Sequence, residues 1–240
     1  CIDTAGNICT TGYFYGTADF GNQTLTDAGG GDLFLAKYSS DGHLLWAQSA
    51  GGTGVDRGFA VAAGTDGRVY VVGTTSGNAQ FGSGPGALTL NQAGLFVVCY
   101  TSDGTPVWLH GYGDSNAVAH RILIDSTGNL VVAGTFYATS DFGGVSLPYT
   151  TGPGNGDIFV MKLSSADGSA VWAKRAGGNN DDEAYGLALD AQDKIYVVGT
   201  TRSFTTDFDQ VSITRDTGQF NAYMACYGSD GSVLWAKTYS

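Results

Sequence analysis

Three histidines, four cysteines and twenty-two Asp and Glu supply the raw material for acid–base, thiol or metal chemistry. Their spacing decides which of these the chain can perform. His43, His110 and His120 fall at unrelated positions of the repeat described below, and no Gly-x-Ser-x-Gly elbow or paired-carboxylate motif accompanies them. Cys1, Cys9, Cys99 and Cys226 contain no Cys-x-x-Cys pair, so zinc spacing is absent. A reactive thiol needs positive surroundings to lower its pKa, and none stand nearby in sequence. Cys1 and Cys9 flank a short turn, which leaves open a disulfide across a hairpin. Asp19, Asp141 and Asp207 recur before a Phe and read as carboxylates that cap loop N–H groups. Calcium would need several oxygens converging from one loop. The densest acidic run, Asp181-Asp182-Glu183, reads as a solvated loop. The six arginines, Arg57, Arg68, Arg121, Arg175, Arg202 and Arg215, share no position that would build a carboxylate-binding cluster. The expectation is no catalytic residue, no metal and no cofactor.

The whole chain points the same way. Net charge is −11, and Lys and Arg are nowhere clustered. An acidic surface repels phosphate backbones, which argues against nucleic acid and anionic membranes as partners. Apolar runs of five or six residues are far too short to span a bilayer. At 42% hydrophobic and 14% charged, with 38 Gly, the chain can fill a core and is not a disordered acidic tail. It starts at Cys1 with neither a Met nor a leader, which reads as a mature or fragmentary segment.

Four internal copies set the architecture. The only four Trp, Trp46, Trp108, Trp172 and Trp235, are 62, 64 and 63 residues apart. Five residues before each stands Asp-Gly: Asp41-Gly42, Asp103-Gly104, Asp167-Gly168 and Asp230-Gly231. Further frames hold Gly12, Gly73, Gly134 and Gly199; then Phe20, Phe81, Phe142 and Phe208; then Phe34, Phe96, Phe159 and Tyr223. Each copy reads as four short strands. An alternating strand such as Arg121–Asp125 leads into a turn at Gly6, Gly67, Gly128 or Asp193, a position requiring left-handed backbone. A β-branched run ending in the framed Gly follows, as in Val69–Gly73. After a polar connection of some twenty residues comes a third strand such as Asp32–Tyr38. The Asp-Gly hairpin then leads into a fourth strand carrying the Trp. No segment has a helical apolar stripe.

Sheets apolar on both faces must stack, and stacking about an axis leaves only short edges. The expected fold is an all-β β-propeller of four consecutive four-stranded antiparallel blades, alone or within a larger ring. Their bounds are 1–54 (first strand truncated), 55–116, 117–182 and 183–240. Trp46, Trp108, Trp172 and Trp235 are the expected wedges between blades, each contributing up to about 4–6 kcal/mol by burial. Gly12, Gly73, Gly134, Gly199, Asp41, Asp103, Asp167 and Asp230 complete the repeat anchors. The third-strand position alternating Lys37, Cys99, Lys162, Cys226 reads as drift at a half-exposed site.

On these motifs the chain resembles the bacterial SBBP (seven-bladed β-propeller) repeat family. The motifs are an Ala/Gly-x-apolar-x-Asp first strand, Gly-Asn/Arg-apolar-Tyr/Val-Val-Gly-Thr, Asp-x-Phe-apolar and Asp-Gly-x-x-x-Trp. The last is also similar to repeats of quinoprotein propellers and sialidases. The resemblance implies a secreted or cell-surface protein without catalytic residues, acting as a scaffold or an adhesion and protein-binding module. Partners would be other blades of the parent chain, another copy, or a protein or glycan on a surface. A lectin-like propeller is the alternative. It would use aromatics of the long connections, Phe14, Tyr15, Phe136, Tyr137 and Phe204, with Phe136 and Tyr137 as the candidate sugar contacts. A propeller enzyme is the more distant one.

Overall fold

The structure is a computed structural model, and it describes residues 1–149, 152, 154–215 and 220–239. The end of the fourth repeat, residue 240, thus lies outside the described residues, as do 216–219 in its long connection. All regular structure among the described residues is β except one 3-10 turn, Gly84–Gly86. The chain divides into two compact units, Cys1–Ser115 and Asn116–Ser240.

In the first unit, the second repeat is a four-stranded antiparallel meander of Arg57–Ala63, Val69–Thr75, Gly94–Tyr100 and Pro106–Tyr112. The first repeat supplies Ile8–Phe14, Asp32–Tyr38 and Leu44–Gly51, with a bridge from Ile2 to Ile8 marking its first strand. The second unit repeats this plan. Val118–Ile124, Leu130–Phe136, Asp157–Leu163 and Ala170–Gly177 form one meander. Asp182–Leu189, Ile195–Thr201, Asn221–Tyr227 and Val233–Tyr239 form the next. Left-handed backbone occurs where the sequence requires it, including Asp193 at φ 56° in the turn that Gly6, Gly67 and Gly128 make elsewhere.

The long connections are more ordered than their composition suggests. In each unit the connection of the later repeat folds into a small hairpin on the outer edge of the preceding sheet. Ala79–Phe81 pairs with the end of Leu44–Gly51, and Thr205–Phe208 pairs with the end of Ala170–Gly177. A strand edge that would otherwise template foreign pairing is covered there.

Three of the sequence frames form one packing unit. Register sets Gly12 opposite Phe34, Gly73 opposite Phe96, Gly134 opposite Phe159 and Gly199 opposite Tyr223. A methyl on these glycines would lie 2.8, 2.6, 2.8 and 2.9 Å from the ring opposite, so the aromatic occupies the space of the missing side chain. The same ring meets the connection's Phe, with centroids 5.0 Å apart for Phe20–Phe34 and Phe81–Phe96, 4.8 Å for Phe142–Phe159 and 5.3 Å for Phe208–Tyr223. In the second and fourth repeats this trio fixes the hairpin to its own repeat while the hairpin's backbone joins the one before.

Each unit's core lies between its two sheets. Leu33, Leu35 and Ala50 pack with Val69, Val71, Phe96 and Val98 in the first unit. Val131, Ile158 and Val160 pack with Ile195, Val197, Tyr223 and Ala225 in the second. Neither sheet of a pair could keep that face dry alone.

Candidate functional site

The first strand of three repeats carries a β-bulge at one shared position. The extra residue is Phe59 between Gly58 and Ala60, His120 between Ala119 and Arg121, and Tyr185 between Ala184 and Gly186. Bulges re-aim a side chain out of the pleat and are enriched beside functional sites. Here each aims a ring outward: Phe59 is 36% and Tyr185 45% exposed, and His120 is half-buried. In the second unit the His120 and Tyr185 rings meet edge to face at 5.6 Å. The Tyr185 hydroxyl donates to Glu183 Oε2. Burial, then the neighbouring Arg121 charge, push the His120 pKa down, so its imidazole is neutral at pH 7. Burial and Asp181 raise that of Glu183. In the first unit the Arg57 guanidinium lies 4.9 Å over the Tyr13 ring, and Tyr13 meets Tyr15 edge to face at 5.8 Å. The His120–Tyr185 pair can stack on, and hydrogen-bond to, a ligand. The three bulge residues change type at every repeat, which hid them in the sequence. Counting from the small residue before each, Gly58, Ala119 or Ala184, would have aligned them.

One tryptophan in each unit bridges its two consecutive repeats. The Trp46 indole N–H donates to the Ser102 carbonyl at 3.1 Å and that of Trp172 to Ser229 at 3.2 Å. Their rings lie over the glycine turns of the same hairpins: a methyl on Gly104 would be 3.1 Å from Trp46 and one on Gly231 2.8 Å from Trp172. Trp108 stacks at 6.0 Å on Tyr70, and Trp235 at 6.2 Å on Tyr196, each within its own sheet. In these turns Asp103 and Asp230 accept from Thr101 and from Ser232, as Asp41 and Asp167 do from Ser39 and Ser169. The hydroxyl of Ser39, with His43, lowers the Asp41 pKa to about 2.

The Lys–Cys alternation is buried, not half-exposed, and it is ordered. Lys37, Cys99, Lys162 and Cys226 are 5, 0, 8 and 1% exposed. Register puts the lysines opposite Cys9 and Val131 and the cysteines opposite Tyr70 and Tyr196, so a long side chain always faces a shorter one. Lys37 pairs with Asp3 at 2.8 Å and Lys162 with Asp125 at 2.6 Å. Both ammoniums also reach the carbonyl that the tryptophan uses, Ser102 at 3.4 Å and Ser229 at 3.3 Å. Burial opposes ionisation of Asp3 and Asp125, but the lysine and turn N–H groups outweigh it and lower both pKa values. The period of two repeats matches the two units.

Other expectations are corrected. Phe136 is fully buried against Phe142 and Tyr149, so it presents no ring face to a sugar. Tyr137 is half-buried over Gly156, where a methyl would lie 3.2 Å from its ring. Of the five connection aromatics singled out in the sequence, Tyr15 and Phe204 are the exposed ones, at 59 and 63%. Asp181-Asp182-Glu183 is not a solvated loop, because Asp182 opens a strand fully buried, accepting from the Gly178 N–H and Ser203 hydroxyl at 2.7 Å each. All four cysteines are free thiols, Cys1 exposed and Cys9 buried. Asp19 and Asp141 accept the N–H groups of Gly21 and Gly144, as capping carboxylates do. Among the described residues no three His, Cys, Asp or Glu converge as a metal site, and no helix is long and apolar enough to cross a membrane.

No family model matches the chain. It is 25% identical, over 74% of its length, to an uncharacterized WD repeat-containing protein of Acanthamoeba polyphaga mimivirus. It is also 25% identical, over 90% of its length, to the regulatory protein FlaEY of Caulobacter vibrioides. The chain spans 15% and 16% of the length of these relatives.

Proposed function

We propose that this chain is a run of β-propeller blades acting as a non-enzymatic interaction scaffold, in a secreted or cell-surface bacterial protein of SBBP-like repeats. One observation carries the reading: the same meander recurs, and consecutive meanders share one apolar core within each unit. Similarity to a WD repeat-containing protein supports it. In a propeller the first strands line the axis, which makes their bulge rings, Phe59 in the first unit and the His120–Tyr185 pair in the second, the contact residues of each unit. Val198 of the fourth repeat is 37% exposed, whereas its third-repeat counterpart Ala133, likewise just before the framed glycine, is 2% exposed. That face takes a further blade of the parent chain or another copy.

Crosslinking of the purified chain to a bacterial surface-protein fraction tests the reading. Crosslinks should cluster at the first strands and fall in Tyr185→Ser. Selective glycan binding instead, lost on Tyr15→Ala or Phe204→Ala, would favour the lectin-like alternative, which rests on those two exposed rings. Turnover of a glycoside or alcohol would overturn both.

A further inference from the structure

The two units carry equivalent clefts that differ in two charges, Arg175 where the first unit has Ser49 and Asp207 where it has Gln80. In the second unit a cleft of about 370 Å³ includes Arg175, Gly177, Gly178, Thr205 and Asp207. The Arg175 guanidinium there donates through Nε to Asp157 at 2.8 Å, and Asp157 is fully buried. In the first unit the corresponding cleft, about 430 Å³, includes Ser49, Gly51, Gly52, Asn78 and Gln80, with Asp32 in its wall. Register equates Ser49 with Arg175, since they stand opposite Phe34 and Phe159. Asp32 therefore occupies the place of Asp157, two residues before that Phe, and the first unit has Ser49 where Asp157 finds its guanidinium.

Asp32 is 3% exposed, and its Oδ2 accepts from the Ala28 N–H at 3.0 Å. Its Oδ1 is buried without a hydrogen-bond partner. Asp56, fully buried beside the same face of Gly51, is engaged by the N–H groups of Gly52 at 2.8 Å and Ser76 at 3.0 Å. A second carboxylate thus adds negative charge to the site without supplying a proton to Asp32. Burial and then that charge push the Asp32 pKa up, as for an acid lacking its counter-ion. Leaving such a group unpaired is costly, and a planar guanidinium is the cation whose N–H fork best matches a carboxylate.

We propose that the Asp32 cleft of the first unit binds an alkylguanidinium group, the head of an arginine side chain on a protein partner, in the manner that Arg175 fills the duplicate site. This deepens the scaffold reading and rests on it only for the partner being a protein.

The test titrates N-acetyl-arginine methylamide into the full chain, with the lysine analogue and calcium chloride as comparisons, read by amide shifts at Gly51 and Gly52. Saturable binding is expected, about tenfold or more tighter for arginine than in Asp32→Asn. Ser49→Arg copies the second unit, so it should abolish binding and raise the melting temperature. Arginine binding that survives Ser49→Arg, no arginine binding to the wild type, or preference for lysine or calcium would each overturn the proposal. If capped arginine binds while crosslinking finds no protein partner, the cleft stands and the scaffold reading falls. The reverse result removes the cleft alone.

Discussion

Replacing Lys162 by Met keeps the length of a side chain that is nearly buried but removes its charge. Asp125, 1% exposed at its side chain, then loses its ammonium partner, and the Ser229 carbonyl loses one of two donors. Removing one member of a buried ion pair costs about 3–5 kcal/mol. In a chain of this length each kcal/mol shifts the melting temperature by about 2–4 °C, so Lys162→Met should lower it by about 6–20 °C. The pH dependence separates a charge effect from a packing effect. In the wild type the folded pKa of Asp125 is depressed. Its contribution is therefore fully present above the unfolded value of about 3.9 and is lost as pH falls through the folded pKa. In the variant burial raises the pKa of Asp125, so protonation relieves the penalty on acidification. The stability difference, measured by urea unfolding, should be greatest at pH 7 and shrink as pH falls through the variant's raised Asp125 pKa, which lies above about 3.9, and on through the wild type's depressed one. A difference independent of pH, or below about 1 kcal/mol, would refute the view that this buried ion pair stabilises the fold.

Two further outcomes follow from the packing. Gly73→Ala would drive a methyl against the Phe96 ring, 2.6 Å away, and against the Arg57 carbonyl. It should cost about 1–3 kcal/mol by urea unfolding, and Phe96→Leu in the same chain should restore only part, because the carbonyl remains. Burial raises the Cys99 pKa to about 11 and also raises those of Cys9 and Cys226, so at pH 8 these thiols stay protonated. Native protein should show one fast-reacting thiol with a chromogenic disulfide, Cys1, and four in denaturant. More than one fast native thiol would contradict the packing.

Much of the strand order could be read from the sequence because its markers recur at fixed spacing. Trp, Asp-Gly and the framed Gly each mark a fixed place in the meander, and four copies outweigh any local ambiguity. What spacing could not give was partnership across strands. That Gly73 exists for Phe96, and Phe96 for Phe81, depends on register, which only the folded sheets supply. Lys37 and Lys162 were misread because alternation along one strand cannot show that the neighbouring repeat covers it. Asp182 was misread because three adjacent acids look solvated until the loop N–H groups that surround one of them are in place. Phe136 looked like a loop aromatic, yet it ends a strand buried along its whole length.

The lysine-bearing repeats reach forward to a hairpin carbonyl and the cysteine-bearing repeats place a tyrosine where that lysine would lie, so the minimal heritable module is a couple, not a single copy. Excision or insertion of one copy would break that alternation and set like beside like. Lengthening or shortening by two preserves it, so natural size variants of such arrays should differ by even numbers.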